Sequence, residues 1–283
     1  MRNIILGTDW WTDCDDAAAI RILCRAHKRG EIKLLGIIIN ACAETSVKSL
    51  SAFLGSEGVH GIPIGIDRSA IDFSGTPSYH RNLCALDSEY SSNDEASDGA
   101  ELYGKLLSEC EGKAEIIEIG YLQTAAGFIE KYPELAARKI RKIWCMAGKW
   151  DEKPGKENNF SRNRRASDGA YRFCKLCPAE ITFLGYEAGE KIISGSHLHK
   201  NDVLFRIFAD HHSENGRSSW DPMTAMLMLG RFSDNDYELI KGTAEVNPEN
   251  GENSFAENPL GKHSYVKLKK DSAYFEALID SEL

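Results

Sequence analysis

The sequence predicts an α/β protein with an open, mostly parallel β-sheet flanked by helices. Its 283 residues are enough to bury a sizeable core. Short runs that favour strands recur, and several are apolar almost throughout, as in strands that are covered on both faces. These runs are residues 3–8, 33–40, 62–66, 114–120, 141–148 and 180–185. Segments with helical periodicity lie between them, and this alternation indicates parallel βαβ units.

The first predicted helix follows Asp16. Apolar side chains recur there at positions i, i+3, i+4 and i+7 from Ala17 onward, and Gly30 stands where a helix commonly ends. Three more segments read as helices, namely residues 45–54, 100–110 and 122–131. Each predicted helix follows a predicted strand, which is the order that a parallel sheet requires.

The last third of the chain has a different pattern. Its predicted elements are helices at residues 201–212 and 222–229, strands at 243–246 and 264–268, a polar loop at 247–262 between these strands, and a final helix at 272–279. We therefore expect one domain over residues 1–283, with a helical and β-hairpin C-terminal part from about residue 200. The polar segments 87–98 and 149–165 are predicted as long loops, which in compact proteins are commonly functional.

Composition narrows the classes of partner. The net charge of −9 argues against a nucleic-acid backbone or an anionic membrane surface, and it suits a carboxylate site that holds a cation. No apolar run approaches the roughly 18 residues of a membrane span, and we expect no secretory leader. Eight scattered cysteines predict reduced thiols and a cytoplasmic location. Cys174 and Cys177 have no second pair at matching spacing, so we expect two ordinary thiols there.

An acidic cluster follows the first predicted strand and opens the first predicted helix. Asp9, Asp13, Asp15 and Asp16 place four carboxylates within eight residues. In open α/β sheets, binding sites form beyond the carboxyl ends of the strands, so the cluster lies where a site is expected. Carboxylates this close repel one another, and Ca²⁺ relieves the repulsion because it accepts about six to eight oxygen ligands in loose geometry. The cluster therefore predicts a calcium site.

The cluster has two other interpretations. Aspartates are favoured in the first turn of a helix, so Asp13 with Asp16, or Thr12 with Asp15, could simply cap it. An EF-hand does not fit, because counting from Asp9 or Asp13 gives no glycine at the sixth position and no glutamate at the twelfth. Four carboxylates together favour the cation over the cap.

The cluster resembles the fingerprint of the inosine–uridine nucleoside hydrolase family, which is a strand, Asp-x-Asp, a short loop and Asp-Asp-Ala at the start of a helix. This chain has Gly7-Thr8-Asp9 and then Asp15-Asp16-Ala17. The loop between them is about two residues longer than in the best-known members and adds Asp13, and Gly7 replaces the first aspartate of the family motif. The resemblance runs from residue 2 to about residue 230 and implies the family's Rossmann-like α/β fold.

Further motifs resemble the family in the same order along the chain. They are Ile119-Gly120-Tyr121-Leu122-Gln123-Thr124, Met146-Ala147-Gly148, Glu157-Asn158-Asn159-Phe160 and Trp220-Asp221-Pro222. The resemblance implies that the main-chain carbonyl of Gln123 and the carboxylate of Asp221 ligate Ca²⁺. It also implies that Glu157 and Asn159 hold the ribose.

The resemblance implies hydrolysis of the N-glycosidic bond of a ribonucleoside or related N-riboside to ribose and free base, through an oxocarbenium-like transition state. By position, Asp9 would both contact the metal and take a proton from the attacking water. Asp15 would hold the ribose 2′-hydroxyl, and Asp16 and Asp221 would complete the metal ligands. Because of the longer loop, Asp13 could take the place given to Asp9 or Asp15.

The remaining candidates concern the substrate. Trp220 stands where several family members have a histidine that assists the leaving base; it cannot act as an acid, but it could stack on a purine. Asn40 is nearest to the family's Gly-Asn after the second strand, and His80 could line the mouth of the pocket. Trp10 and Trp11 could stack on a ligand or belong to the core. The resemblance also implies a homodimer or homotetramer.

Three other functions compete with nucleoside hydrolysis. A non-catalytic binder of ribosyl ligands could retain the metal site, and the departures at Gly7 and Trp220 motivate it. A phosphatase of the haloacid dehalogenase type also has Asp-x-Asp after its first strand, but it needs the first aspartate as nucleophile, where this chain has Gly7. A structural α/β domain with capping aspartates is the third. The motif order favours hydrolysis.

Overall fold

A computed structural model describes residues 1–283 of the protein. The strands are β1 (Arg2–Thr8), β2 (Ile32–Ile39), β3 (Ile64–Ile66), β4 (Ser97–Asp98), β5 (Ala114–Glu118), β6 (Ile140–Met146), β7 (Glu180–Leu184), β8 (Ile193–Ser194), β9 (Arg217–Ser218), β10 (Tyr237–Val246), β11 (Asn253–Glu257) and β12 (His263–Leu268). The helices are α1 (Asp15–Lys28), α2 (Ser46–Ser56), α3 (His80–Leu83), α4 (Gly99–Glu109), α5 (Gln123–Lys131), α6 (Pro133–Lys139), α7 (Asn158–Ser161), α8 (Arg164–Leu176), α9 (Tyr186–Gly189), α10 (Val203–Asp210), α11 (Trp220–Leu229) and α12 (Ser272–Asp280).

Ten strands form one sheet in the order β11-β10-β12-β7-β6-β5-β1-β2-β3-β4. All neighbours are parallel except for β10, which runs antiparallel to β11 and β12. The predicted open, mostly parallel sheet is therefore confirmed. Strand order reverses between β1 and β5, because β2 to β4 lie on one side of β1 and β5 to β7 on the other. Such a reversal opens a crevice at the carboxyl ends of the two strands.

Helices cover both faces of the sheet, which explains why the central strands are apolar almost throughout. Ile4 and Leu6 of β1 pack into a core shared with α1 and α11. Ile5, on the opposite face of the same strand, packs into a second core with α4, α5 and α8. Alternate side chains of one strand thus serve two cores.

The first helix has the predicted place, and its first turn approaches that of a distant helix. α1 begins at Asp15 and ends at Lys28, and Gly30 adopts a left-handed backbone with φ of 73°. Nearly every residue of α1 is buried, because α11 packs beside it. The main-chain N–H of Asp221 in the first turn of α11 donates to Asp15 Oδ2 at 3.1 Å. This contact joins two segments that are 206 positions apart.

The C-terminal strands differ from the prediction. The segment 247–262, expected to be a loop between two strands, contains β11, which pairs with β10. β10 also pairs with β12, and β12 joins the main sheet as a parallel neighbour of β7. The strand β11 was not predicted because its sequence has no apolar run. Only alternate positions of this edge strand are buried, so polar residues are tolerated at the others.

Short elements also lie where loops were predicted. Segment 149–165 contains α7, and segment 87–98 contains the 3₁₀ turn Asn93–Glu95 and the strand β4. The helices α6 and α8 were not among the predicted elements. Except for α8, which has 13 residues, these elements are seven residues or shorter, too short to establish a hydrophobic period. No helix is both long enough and apolar enough to span a membrane.

Gly7 packs against a buried carboxyl group on the neighbouring strand. Glu118 of β5 lies directly opposite Gly7 in the register of the two strands. A Cβ atom at position 7 would lie 2.0 Å from Glu118 Oε2 and 2.6 Å from the Tyr103 hydroxyl oxygen. That hydroxyl donates to Glu118 Oε1 at 2.5 Å, and burial raises the pKa of Glu118 to about 8. The Glu118 side chain thus occupies the space that a side chain at position 7 would need.

We predict that Gly7→Ala destabilises the protein by about 1–3 kcal/mol, because the added methyl overpacks the space that Glu118 fills. Chemical denaturation would measure the loss. The same substitution in a Glu118→Ala background should cost clearly less, because the obstructing carboxyl is gone. Gly127→Ala is the matched control, since a Cβ at this helical position of α5 meets nothing within 4 Å. Equal costs for Gly7→Ala in both backgrounds would contradict this packing.

Candidate active site

A cavity of about 350 Å³ opens at the carboxyl ends of β1, β5 and β6, where the strand order reverses. Its lining combines six carboxylates with two guanidinium groups, several other polar side chains and a few aromatic rings. The lining residues are Asp9, Thr12, Asp13, Asp15, Asp16, Ile119, Tyr121, Met146, Glu157, Asn158, Asn159, Arg162, Tyr186, Arg217, Trp220 and Asp221. All four aspartates of the predicted cluster and Asp221 are among them.

The turn between β1 and α1 is anchored by Trp10. This residue has a left-handed backbone, with φ of 45°, which reverses the chain directly after Asp9. Its indole is fully buried, stacks on Phe53 and His80, and donates to Ser49 Oγ at 2.9 Å. Of the two interpretations left open for Trp10, the structure supports the core. The buried ring holds the turn so that Asp9 faces the cavity.

Three buried aspartates meet at the floor of the cavity. Carboxylate oxygens of Asp15, Asp16 and Asp221 all lie within 4.8 Å of one another. Burial, followed by mutual repulsion, raises the pKa of each carboxyl well above its usual range. The polar contacts of the group are few: Asp16 accepts from Thr8 Oγ1 and from the N–H of Trp10, and Asp15 accepts from the N–H of Asp221. A buried set of oxygen donors with so little neutralisation fits a hard divalent cation.

Asp9 stands beside this trio and lines the same cavity. Its Oδ1 accepts the main-chain N–H of Trp11 at 3.2 Å. Burial, together with repulsion from the carboxylates of Asp15 and Asp13, raises the pKa of Asp9 to about 8. No basic side chain forms an ion pair with Asp9, so this carboxylate is available to a ligand or to water.

Asp13 is already neutralised. Arg217 of β9 donates to both of its oxygens, from Nε at 2.9 Å and from Nη2 at 2.5 Å, and His211 Nε2 lies 3.8 Å from Oδ1. Burial alone would raise the pKa of Asp13, but the bonds from Arg217 outweigh it and hold the pKa below its usual range. His211 also lies near Cys14, so this corner gathers three metal-ligating groups; the guanidinium that occupies Asp13 takes the place of a cation there.

Glu157 and Asn159 form the wall next to β6. Glu157 caps the start of α7: one of its oxygens accepts the N–H of Asn159 at 2.6 Å, and the other accepts the N–H of Gly148 at 2.9 Å. Burial raises the pKa of Glu157 to about 7. The Asn159 amide donates to the Met146 carbonyl oxygen at 2.9 Å. Both side chains are therefore fixed in the cavity by bonds to the end of β6.

An aromatic wall completes the cavity. Trp220 and Tyr186 have ring centroids 5.3 Å apart, and the Trp220 Nε1–H donates to the Tyr186 carbonyl oxygen at 2.8 Å. The guanidinium of Arg217 lies 5.2 Å from the Trp220 ring. These contacts place the Trp220 ring at the cavity surface directly before Asp221.

Three predicted site residues do not line the cavity. Asn40 is buried behind it, where Oδ1 accepts the N–H of Tyr121 at 2.9 Å. His80 is buried against Trp10, with Nδ1 3.3 Å from Thr45 Oγ1, and burial lowers its pKa to about 3. Gln123 begins α5, and its amide turns away to donate to the Asn40 carbonyl oxygen at 2.5 Å. The expected ligand contacts of Asn40 and His80 are therefore not part of the proposed site. The contact expected of Gln123 was through its main-chain carbonyl, so the direction of its side chain leaves that prediction untested.

Several lining residues were not predicted as site residues, namely Thr12, Ile119, Tyr121, Met146, Asn158, Arg162, Tyr186 and Arg217. Five of these residues, Thr12, Ile119, Tyr121, Met146 and Asn158, lie in or beside the motifs described above. Their closeness to those motifs along the chain was the signal that could have identified them. Tyr186 lies just after β7, where the strand-end rule applies. Arg217 and Arg162 had no such signal, because nothing in the sequence shows which arginine turns inward.

Solved structures of other proteins share this fold. An inosine-uridine preferring nucleoside hydrolase from Bacillus anthracis matches with a TM-score of 0.73 and 15% identity over 100% of both chains. A purine-preferring ribonucleoside hydrolase from Gardnerella vaginalis matches with a TM-score of 0.76 and 15% identity, over 99% of this chain and 98% of that one. The type III effector XopQ, in complex with adenosine diphosphate ribose, matches with a TM-score of 0.70 and 13% identity, over 99% and 92%.

No family model and no curated protein matches the sequence. The structural likeness nevertheless covers nearly the whole chain. The protein therefore has the nucleoside hydrolase fold, as the resemblance of its motifs implied.

We predict that Arg217→Gln destabilises the protein by about 1–2 kcal/mol, because Asp13 would be left unpaired beside other carboxylates. Adding Asp13→Asn should recover most of this loss, since the unpaired charge is then removed. A double-mutant cycle by urea denaturation would measure the coupling. Single-mutant costs that add to within about 0.3 kcal/mol in the double variant would show that the pair contributes nothing.

Proposed function

We propose that the protein is a Ca²⁺-dependent N-glycosyl hydrolase that cleaves a ribonucleoside or related N-riboside to ribose and free base. The observation that carries the proposal is the meeting of Asp15, Asp16 and Asp221 at the floor of the cavity. These carboxylates come from two helices far apart in the sequence, and a shared cation is the simplest reason for burying them together. The nucleoside hydrolase fold supports the same conclusion.

Asp16 and Asp221 would hold the ion, with Asp15 beside it and Asp9 at its edge. Their donor set is made of oxygens only, which favours Ca²⁺ or another hard cation over a soft metal. When bound, Ca²⁺ would neutralise these carboxylates, acidify water and orient the ribose hydroxyl groups. Asp15, whose Oδ2 already accepts the N–H of Asp221, would keep its other oxygen for the 2′-hydroxyl.

Asp9 is the proposed general base. It lines the cavity, lies next to the aspartate trio and has no cationic partner, whereas Asp13 is bound by Arg217. Asp9 would take a proton from the water that attacks the anomeric carbon. The surrounding carboxylates would favour the positive charge that develops on the ribose ring in the transition state. Of the two candidates that the sequence left open, we therefore propose Asp9 rather than Asp13.

Glu157 and Asn159 would position the ribose from the opposite wall. Each is buried and held by bonds to the end of β6, so neither needs to reorganise when a ligand enters. The leaving base would lie against Trp220 and Tyr186. No side chain on this wall is an acid matched to protonate a base, so stacking on these rings would stabilise its departure.

A second candidate function is the binding of a ribosyl ligand without turnover. Trp220 in the place of an acid favours it, and so does the match to XopQ, whose structure contains adenosine diphosphate ribose. Binding of a ribosyl ligand with no release of reducing sugar, even with Ca²⁺ present, would favour the binder.

Cellular setting and assembly belong to the same proposal. We propose a cytoplasmic enzyme, because all eight cysteines are free thiols in the structure. A homodimer or homotetramer stays a prediction from the family resemblance.

We predict that Ca²⁺ raises the Tm by about 5–10 °C when added at a hundredfold excess over its Kd, and that chelation reverses the rise. Asp16→Asn and Asp221→Asn should lose the rise, because each removes a ligand charge. The exposed Asp94→Asn is the matched control and should keep it. Scanning calorimetry with and without Ca²⁺ gives the result. If Ca²⁺ still raised the Tm of Asp16→Asn or Asp221→Asn by the full amount, the proposed ion would not be bound by this trio.

We predict that Asp9→Asn lowers kcat for nucleoside hydrolysis by roughly 10²–10⁴-fold with the fold intact, because the base is lost. Asp13→Asn should lower kcat by less than about tenfold, since its carboxylate is engaged by Arg217. Reducing-sugar release from a panel of nucleosides would measure both. A larger loss in Asp13→Asn would transfer the role of base to Asp13.

A further inference from the structure

Arg162 brings a positive charge into the cavity without a carboxylate partner. Its Nη2 donates to the carbonyl oxygen of Ser74 and to Ser74 Oγ at 3.1 Å, and the structure contains no other side-chain bond of this residue. No carboxylate lies within 4.0 Å of its guanidinium, whereas Arg217 is fully engaged by Asp13. The nearby Arg164 and Arg165 are also paired, with Glu249 and with an aspartate. Nε and Nη1 of Arg162 thus remain free to donate.

Arg162 lies at the outer end of the wall that Glu157 and Asn159 form. It follows α7, and its main-chain N–H donates to the Asn158 carbonyl oxygen at 2.9 Å. Glu157 and Asn159 are buried on the same wall, whereas Asn158 and Arg162 are exposed. Ser74, on the segment between β3 and α3, accepts hydrogen bonds from the guanidinium. The wall therefore carries the buried side chains of Glu157 and Asn159 deep in the cavity and the cation of Arg162 at the mouth.

The shape of a ribose links the two ends of the cavity. Its 2′- and 3′-hydroxyls lie on one side of the ring, and the C5′ carbon extends from the far side. With the hydroxyls at the aspartate trio, we expect the 5′ substituent to point away from the trio, toward the wall of Glu157 and Asn159. Arg162 lines the same cavity beside these residues and is the cation that this substituent would meet. A neutral 5′-hydroxyl needs no cation, but a phosphate does, and a planar guanidinium offers it two parallel N–H donors.

The distribution of charge is consistent with an anionic group at this end only. The five lining aspartates lie at or next to the floor, and Arg217 already offsets one of them. On the wall of Arg162 the sole lining carboxylate is Glu157, and both its oxygens accept main-chain N–H groups. A phosphate at the mouth would therefore face a free guanidinium rather than the acidic floor.

We propose that the substrate is a 5′-phosphorylated N-riboside and that Arg162 binds its phosphate as a specificity-determining residue; this inference rests on the proposed hydrolase function. Water attacks C1′, the C1′–N bond breaks, and its electron pair leaves with the base. One proton of the water goes to Asp9, which returns it to solvent, and the departing base takes one proton from solvent, so the products are ribose 5-phosphate and free base. The phosphate ester itself is unchanged.

The test compares a nucleoside with its 5′-monophosphate in the wild type, Arg162→Gln and Arg164→Gln. The wild type should have the higher kcat/KM for the monophosphate. Arg162→Gln should lower the ratio of the two kcat/KM values by roughly ten- to a hundredfold, because a charge-assisted pair is lost. Arg164→Gln, the adjacent arginine outside the cavity, should keep the wild-type ratio. The binding of ribose 5-phosphate, measured by calorimetry, should weaken in Arg162→Gln by a similar factor.

Each outcome decides the proposal. An unchanged ratio in Arg162→Gln would overturn it, since a merely structural role in holding Ser74 would affect both substrates alike. A wild type that hydrolyses the nucleoside but not the monophosphate would also overturn it while leaving the hydrolase function intact. If neither substrate is hydrolysed, the hydrolase function fails, and the binding arm still decides: loss of ribose 5-phosphate affinity in Arg162→Gln supports the phosphate contact, and no binding by the wild type overturns it.

Discussion

Electrostatic repulsion among buried carboxylates is the constraint on which the rest of this structure depends. Asp15, Asp16 and Asp221 share a floor from which water is largely excluded, and Asp9 stands beside them. Burial and mutual repulsion both disfavour their charged forms. Of the two arginines that line the cavity, Arg217 is bound to Asp13 and Arg162 donates to Ser74, so neither forms an ion pair with these carboxylates. An ion from solution is the remaining way to keep the floor charged, and the proposed chemistry needs that charge.

The fold explains how such a floor can form at all. The reversal of strand order between β1 and β5 opens the crevice, and the two cores on either face of β1 hold it in place. Close packing of α1 against α11 then brings their first turns together, so that Asp15 and Asp221 meet. The buried ring of Trp10 holds the turn after Asp9. The packing of the two cores thus offsets the repulsion between the like charges that it holds close together.

The sequence predicted the sheet, the first helix and the aspartate cluster after β1, because strand ends and helix starts follow general rules of geometry. The place of Asp221 beside this cluster was implied only by the resemblance to a known family. It could not predict which side chains of a motif face inward. The sequence predicted His80 and Asn40 as residues of the site. In the structure His80 packs on Trp10, and Asn40 accepts a hydrogen bond from the main chain of Tyr121. Arg217 and Arg162 lie beside short irregular segments, where direction depends on tertiary contacts alone. The short strand β11 was not predicted for the same reason, because tertiary packing rather than an apolar period defines it.

A crystal structure of the protein grown with Ca²⁺ tests the central claim most directly. The account predicts one ion at the floor of the cavity, with carboxylate oxygens of Asp16 and Asp221 about 2.3–2.6 Å from it. Anomalous scattering from a heavier substitute ion at the same position would confirm its identity as a cation. Clear density for the aspartate side chains with no ion between them at millimolar Ca²⁺, or an ion bound only elsewhere on the protein, would contradict the account.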